Sequence, residues 1–251
     1  MFRTMVSTFK RDSKWTWGAL GLCALLLSGC AGSNVKNMAQ YRAEPLTRPD
    51  AIYVYTFDVA PEQVKVDSGI LARLGARIAQ KSTSSEQATL AVQTQEEVAN
   101  EVVLRLQAMG LPAIRSNMPA PRDQNVLLVT GRFEKVDSGN GTRRTVVGLG
   151  AGKSEVGATV QLWSQPAGRA PQLLETYDVS ADSGHMPGMA ETMGVGAATN
   201  RLAVSAATGG VLHATSETRH AKPVDDAERM ADSIAKQIAQ RGVAQGWLSK
   251  E

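Results

Sequence analysis

Cysteine is almost missing from this 251-residue chain: there are two, Cys23 and Cys30, and none follows residue 30. The region beyond Cys30 can therefore form no internal disulfide. The same count excludes zinc fingers, iron–sulfur clusters and cysteine nucleophiles there. Histidine is scarce too, at three, and no G-x-S-x-G elbow occurs, so hydrolase chemistry is not expected. Aromatic residues make up only 5%, while Ala, Val and Gly abound, which predicts a core closed by small side chains. Long apolar runs are also absent. Uncharged residues extend from Trp15 to Val35, but that stretch ends in Ser28, Gly29, Gly32, Ser33 and Asn34, poor material for a membrane span of about 20 apolar residues.

A lasting charge excess is the next absence. The formal net charge is +3, yet residues 1–29 carry Arg3, Lys10, Arg11 and Lys14 against Asp12, and the remainder holds 23 basic and 23 acidic residues. No cluster of Lys and Arg with interleaved aromatics is present, so nucleic acid is excluded as a partner.

What is present begins with an address. Residues 1–14 are basic, Trp17–Leu27 is an uncharged, mostly apolar run, and Ser28, Gly29 and Cys30 follow. A charged start, a short apolar middle and a small-residue exit describe a secretory signal peptide. Leu27-Ser28-Gly29-Cys30 resembles the lipobox of bacterial lipoproteins. That resemblance implies a diacylglycerol on the Cys30 sulfur, with cleavage after the flank Leu27, Ser28 and Gly29. Ala31 stands where such lipoproteins carry Asp for inner-membrane retention. The implied location is the outer membrane, lipid-anchored and facing the periplasm. The covalent lipid on Cys30 is the sole cofactor expected. Residues 1–29 are thus expected to be a cleaved signal, 30–50 a lipidated cysteine with a polar, flexible tether, and 51–251 a single domain.

Along the chain, "IYVYTFDV" (Ile52–Val59) is rich in β-branched and aromatic residues and reads as a strand ended by Pro61. Ile70, Leu71, Leu74 and Ile78 recur at helical spacing. "SSEQ" (Ser84–Gln87) offers a capping box for a helix over 85–109, with Ala91, Val98, Val102, Leu106 and Met109 on one stripe and Gly110 and Pro112 beyond its end. A short strand is expected at Ala113–Arg115. Four more follow at Val126–Val136, Thr142–Gly148, Glu155–Trp163 and Gln172–Ser180, joined by turns as an antiparallel meander. Pro223-Val224-Asp225-Asp226 starts a last helix, over 225–245, that buries Ala227, Met230, Ala231, Ile234, Ala235 and Ile238.

Two motifs invite chemistry. "VVGLGAGKS" (Val146–Ser154) has the Gly-Lys-Ser of a phosphate loop, but Val147 stands at its first glycine and a strand, not a helix, follows. Gly148, Gly150 and Gly152 are read instead as sites where the sheet bends or meets another backbone. "HMPGMAETM" sets His185, Met186, Met189 and Met193 within nine residues, a soft set suited to Cu(I), although methionine more often fills a core. An enzyme would have to gather distant residues such as Asp182, His185 and Arg143. The Gly-, Ala- and Met-rich segment 184–216 offers a small-residue surface for self-association or lipid.

The block "GRFEKVDSGNGTRRTVVGLGAGKSEVGATVQLW" (Gly131–Trp163) resembles the bacterial lipoproteins of domain-of-unknown-function family 4410. The strand ending "GRF…VDSGN", the basic pair, the glycine run and the alternating strand carry the likeness. It implies an envelope location and an α+β domain, and it transfers no catalytic residue. The expected fold is α+β, a largely antiparallel or mixed sheet with amphipathic helices packed on one face. The expected function is non-catalytic: an outer-membrane lipoprotein that scaffolds or binds an envelope protein. A small-ligand or Cu(I)-binding module is the alternative.

Overall fold

In the computed structural model, residues 32–41, 46–80, 82–147, 151–184 and 223–248 are described. They lie within one compact unit, Ala31–Glu251; the other unit, Met1–Cys30, falls outside them. The elements run β1 (Gly32–Gln40), β2 (Ala51–Val54), a 3-10 turn (Pro61–Gln63), β3 (Val64–Lys65), α1 (Ile70–Ile78), α2 (Thr83–Ala108), β4 (Ala113–Arg115), β5 (Val126–Asp137), α3 (Gly141–Val146), β6 (Glu155–Gln165), β7 (Gln172–Asp182) and α4 (Pro223–Ala244).

The alternating strands pair as their pattern demands. The sheet has seven strands in the order β1-β7-β6-β5-β2-β4, with β3 beside β5. β5, β6, β7 and β1 are antiparallel neighbours, whereas β2, β3 and β4 join in parallel. This is the α+β architecture with a mostly antiparallel, mixed sheet.

Helices α2 and α4 cross one face of the sheet and pack on each other. Val98, Val102 and Leu106 of α2 and Ala227, Met230, Ala231, Ile234, Ala235 and Ile238 of α4 are fully buried, over Val129, Phe133, Val160, Leu162 and Leu174 of the strands. The alanines let α4 approach its neighbours closely. A buried ion pair pins α4 to β7: Glu175 accepts from Arg241 Nε and Nη2 at 2.8 and 2.6 Å and from Gln237 Nε2 at 2.7 Å. Removing either charge would strand the other away from water.

Four expectations are corrected. Gly32–Gln40 is a strand and not part of a tether, because its backbone completes the free edge of β7 from Gly32↔Asp182 to Gln40↔Glu175. The strand expected over Thr142–Gly148 is not found where these residues are described: Thr142–Val146 is helical. Asn140 accepts the Arg143 N–H at 2.9 Å and caps α3 over these residues. The long helix is capped by Ser82, which accepts the Ser85 N–H at 3.2 Å, so the box built on Ser84 does not form. Gln87 instead donates to the Val64 carbonyl at 2.8 Å. Finally, β2 stops at Val54 short of the expected Val59; beyond it the Tyr55 N–H still donates to Val129 O at 3.0 Å and Asp58 pairs with Arg132.

Candidate functional site

A groove of about 880 Å³ opens at one end of the sheet, between α1, the start of α2 and the loop that joins β5 to β6. Two glycines shape that loop. Gly139 and Gly152 both hold positive φ, 72° and 79°. A Cβ on Gly139 would lie 2.3 Å from the Gly152 carbonyl oxygen, and one on Gly152 would lie 2.4 Å from that of Asn140. The two segments touch backbone to backbone, which only glycine permits at these angles. The Asn140 N–H donates to Gly152 O at 2.9 Å, and Arg144 donates to the same oxygen from Nη2 at 2.9 Å. The expected close approach is thus found at Gly152; Gly148 and Gly150 lie outside the described residues.

Asp67 fastens the loop to α1. Its carboxylate accepts the Gly69 N–H at 2.7 Å and the Gly141 N–H at 3.2 Å, joining the starts of α1 and α3. Gly69 is buried, and a Cβ there would lie 2.8 Å from Thr142 Oγ1. Other acids of the lining are engaged as well: Asp137 accepts the Gly139 N–H at 2.8 Å, and Glu155 accepts Lys135 Nζ at 2.8 Å. Lys153 donates to Asp182 at 2.8 Å, and this hydrogen bond holds its ammonium above the usual lysine range. Against these stand Lys65, Arg73, Arg77 and Arg143. All four are exposed on the lining, and none of their side chains has a partner among the described residues. Glu86 is the lining carboxylate left without one. The groove therefore presents an unbalanced positive wall suited to oxyanions.

A second surface lies on the sheet face away from α2 and α4. Ile114, Tyr53, Leu128, Trp163 and Leu173 are register partners in turn across β4, β2, β5, β6 and β7. Ile114 is exposed and the other four are half-buried. Five strands at ~4.8 Å spacing make this apolar row roughly 19 Å long.

Of the residues singled out in the sequence, Arg143 stands on the groove wall and Asp182 braces Lys153 behind it. Leu27, Ser28, Gly29, Cys30, His185, Met186, Met189 and Met193 lie outside the described residues, as does most of segment 184–216. Among the described residues no group of three or more His, Cys, Asp or Glu could hold a metal, and no helix is long and apolar enough to cross a membrane. The sequence reading passed over Lys65, Arg73 and Arg77. Their one sequence signal is Arg73 and Arg77 four apart in "ILARLGARI", a segment without any acid.

The family model described as Domain of unknown function (DUF4410) matches residues 52–200. The chain belongs to this family. The match spans the loop, α3 and the whole of the groove lining. No curated protein matches the chain. Among solved structures, a PelC dodecamer from Paraburkholderia phytofirmans is similar at 15% identity and a TM-score of 0.31, over 61% of this chain and 82% of that one. A second, "Crystal structure of uncharacterized protein", is similar at 14% identity and a TM-score of 0.33, over 77% and 94%. The dodecamer is a property of PelC, and likeness at this level says nothing of how this chain assembles.

Proposed function

We propose that this DUF4410 protein is a non-catalytic scaffold of the outer membrane, anchored by an acylated Cys30, that binds an envelope protein through its uncovered sheet face. The observation that carries the proposal is the row Ile114–Tyr53–Leu128–Trp163–Leu173. Large apolar side chains in register across five strands, with neither long helix above them, form a surface that a partner's apolar face would cover. The anchor rests on the Leu27–Cys30 tetrapeptide. Because β1 begins two residues after Cys30, an acylated cysteine would hold the domain directly against the lipid and not at the end of a long leash.

A photoreactive residue in place of Tyr53, crosslinked in cells, tests the partner. A defined envelope protein should be captured, and Trp163→Ser should abolish the capture; loss of a half-buried indole costs about 2–4 kcal/mol, so a cooperative melting curve must show that the variant remains folded. A yield of abundant proteins only, unchanged by Trp163→Ser, would sink it. For the anchor, labelled palmitate should enter the wild type and not Cys30→Ala.

A further inference from the structure

We propose that α1 and the adjoining groove form a docking surface for an anionic lipid bilayer, with α1 lying in the headgroup layer and the free cations of the groove taking lipid phosphates. This inference uses other residues than the protein-binding row and stands apart from it.

The first observation is the outward face of α1. Ile70, Leu74 and Ile78, at i, i+4 and i+8, are 75%, 55% and 77% exposed. Three large aliphatics in one line on a nine-residue helix do not serve the core. α3, which packs beside α1, ends in the half-exposed Val146 and is followed by the half-exposed Val147. The second observation is charge. Arg73 and Arg77 lie along the same helix beside that line, and Lys65 and Arg143 stand across the groove, all without partners among the described residues. A short helix with an apolar line, a basic flank and no acid has the make-up of a segment that settles in the plane of anionic headgroups.

Charge also decides against the nearest competitor. A second copy docked face to face on α1 by two-fold symmetry would set Arg73 and Arg77 against their own equivalents. A bilayer surface supplies apolar depth and phosphate together. Sheet register adds position. Gly32, Asp182, Glu155, Asp137 and Lys65 are successive partners across β1, β7, β6, β5 and β3. The groove therefore sits at the end of the sheet where β1 begins, two residues after Cys30 in sequence.

Hydrogen exchange over residues 68–80 tests the inference on the full chain reconstituted into vesicles. Exchange is read only on protein that floats with each vesicle type, so the comparison does not depend on how the chain is held there. In phosphatidylcholine with about 30 mol% phosphatidylglycerol, the α1 amides should exchange at least about tenfold more slowly than in phosphatidylcholine alone. Raising salt to about 1 M, where the screening length is roughly 3 Å, should remove most of that protection. Arg73→Glu with Arg77→Glu should abolish it, and so should Ile70→Ser with Leu74→Ser and Ile78→Ser. All of these sites are exposed, and an unchanged melting curve would show that the variants remain folded. Equal exchange on the two vesicle types would overturn the inference, as would protection that survives the double charge reversal. Equal protection on neutral vesicles from millimolar glycerol phosphate would overturn it as well, assigning the groove to a soluble phosphate instead.

Discussion

The helix-covered half of the sheet and the groove corner are built on opposite principles. In the first, the Phe57 and Phe133 rings meet at a tilt of 51° with centres 5.8 Å apart, and the inner stripes of α2 and α4 bury Val98, Val102, Leu106, Ala231, Ile234 and Ile238 completely. In the corner, the contacts that matter are backbone to backbone at Gly139 and Gly152, or carboxylate to backbone at Asp67. Apolar burial stabilises in proportion to area and tolerates small shifts. Close backbone approach tolerates none, yet it involves few atoms. The core should therefore set global stability, and the corner should set the shape of the groove. Damage to one should be separable from damage to the other.

Phe133→Ala should have the largest effect, since it deletes a fully buried ring. About 3–5 kcal/mol of global stability should be lost, read from denaturant midpoints with unchanged slope. Gly139→Ala comes next, at about 1–3 kcal/mol, because the new methyl meets Gly152 O and the backbone is held at positive φ. Its signature is local: exchange should accelerate over 137–153 while the β6–β7 amides keep theirs. Uniform acceleration across the sheet would show that corner and core are one cooperative unit.

The smallest effect tests the seam between the two regions. Asp226 is buried at the start of α4; burial pushes its carboxyl above the usual range, and the Arg229 guanidinium beside it pulls part of the way back. A carboxyl raised in the folded state favours the fold while protonated. Its contribution is complete below the unfolded-state value and is lost as pH rises through the folded-state value. Asp226→Asn removes that dependence, so the variant should gain on the wild type as pH rises from the ordinary carboxylate range through the raised folded-state value. Parallel stability curves would place the origin of any pH slope elsewhere.

The same division explains which parts could be read from sequence. Glu155–Trp163 alternates and α4 repeats its alanines and isoleucines at helical spacing, so both were located within two or three residues of their observed ends. β1, "GSNVKNMAQ", has no apolar period. Only Val35 packs onto the core, and its pairing with β7 is made by backbone atoms that every sequence possesses. α3 was misread because "TRRTVV" is β-branched, whereas one side chain, Asn140, sets its conformation. The groove was invisible for a third reason: its free cations come from three separate segments, and Asp67 looks like any loop acid until the N–H groups of Gly69 and Gly141 are seen converging on it.

The pairing of β1 with β7 also orders events in time. A ribosome makes the N-terminal strand first, yet its partner, Gln172–Asp182, arrives some 140 residues later, on the order of ten seconds at usual synthesis rates. The opening segment must wait unpaired through that interval, and the outer border of the sheet is among the last parts of the molecule that can be sewn shut.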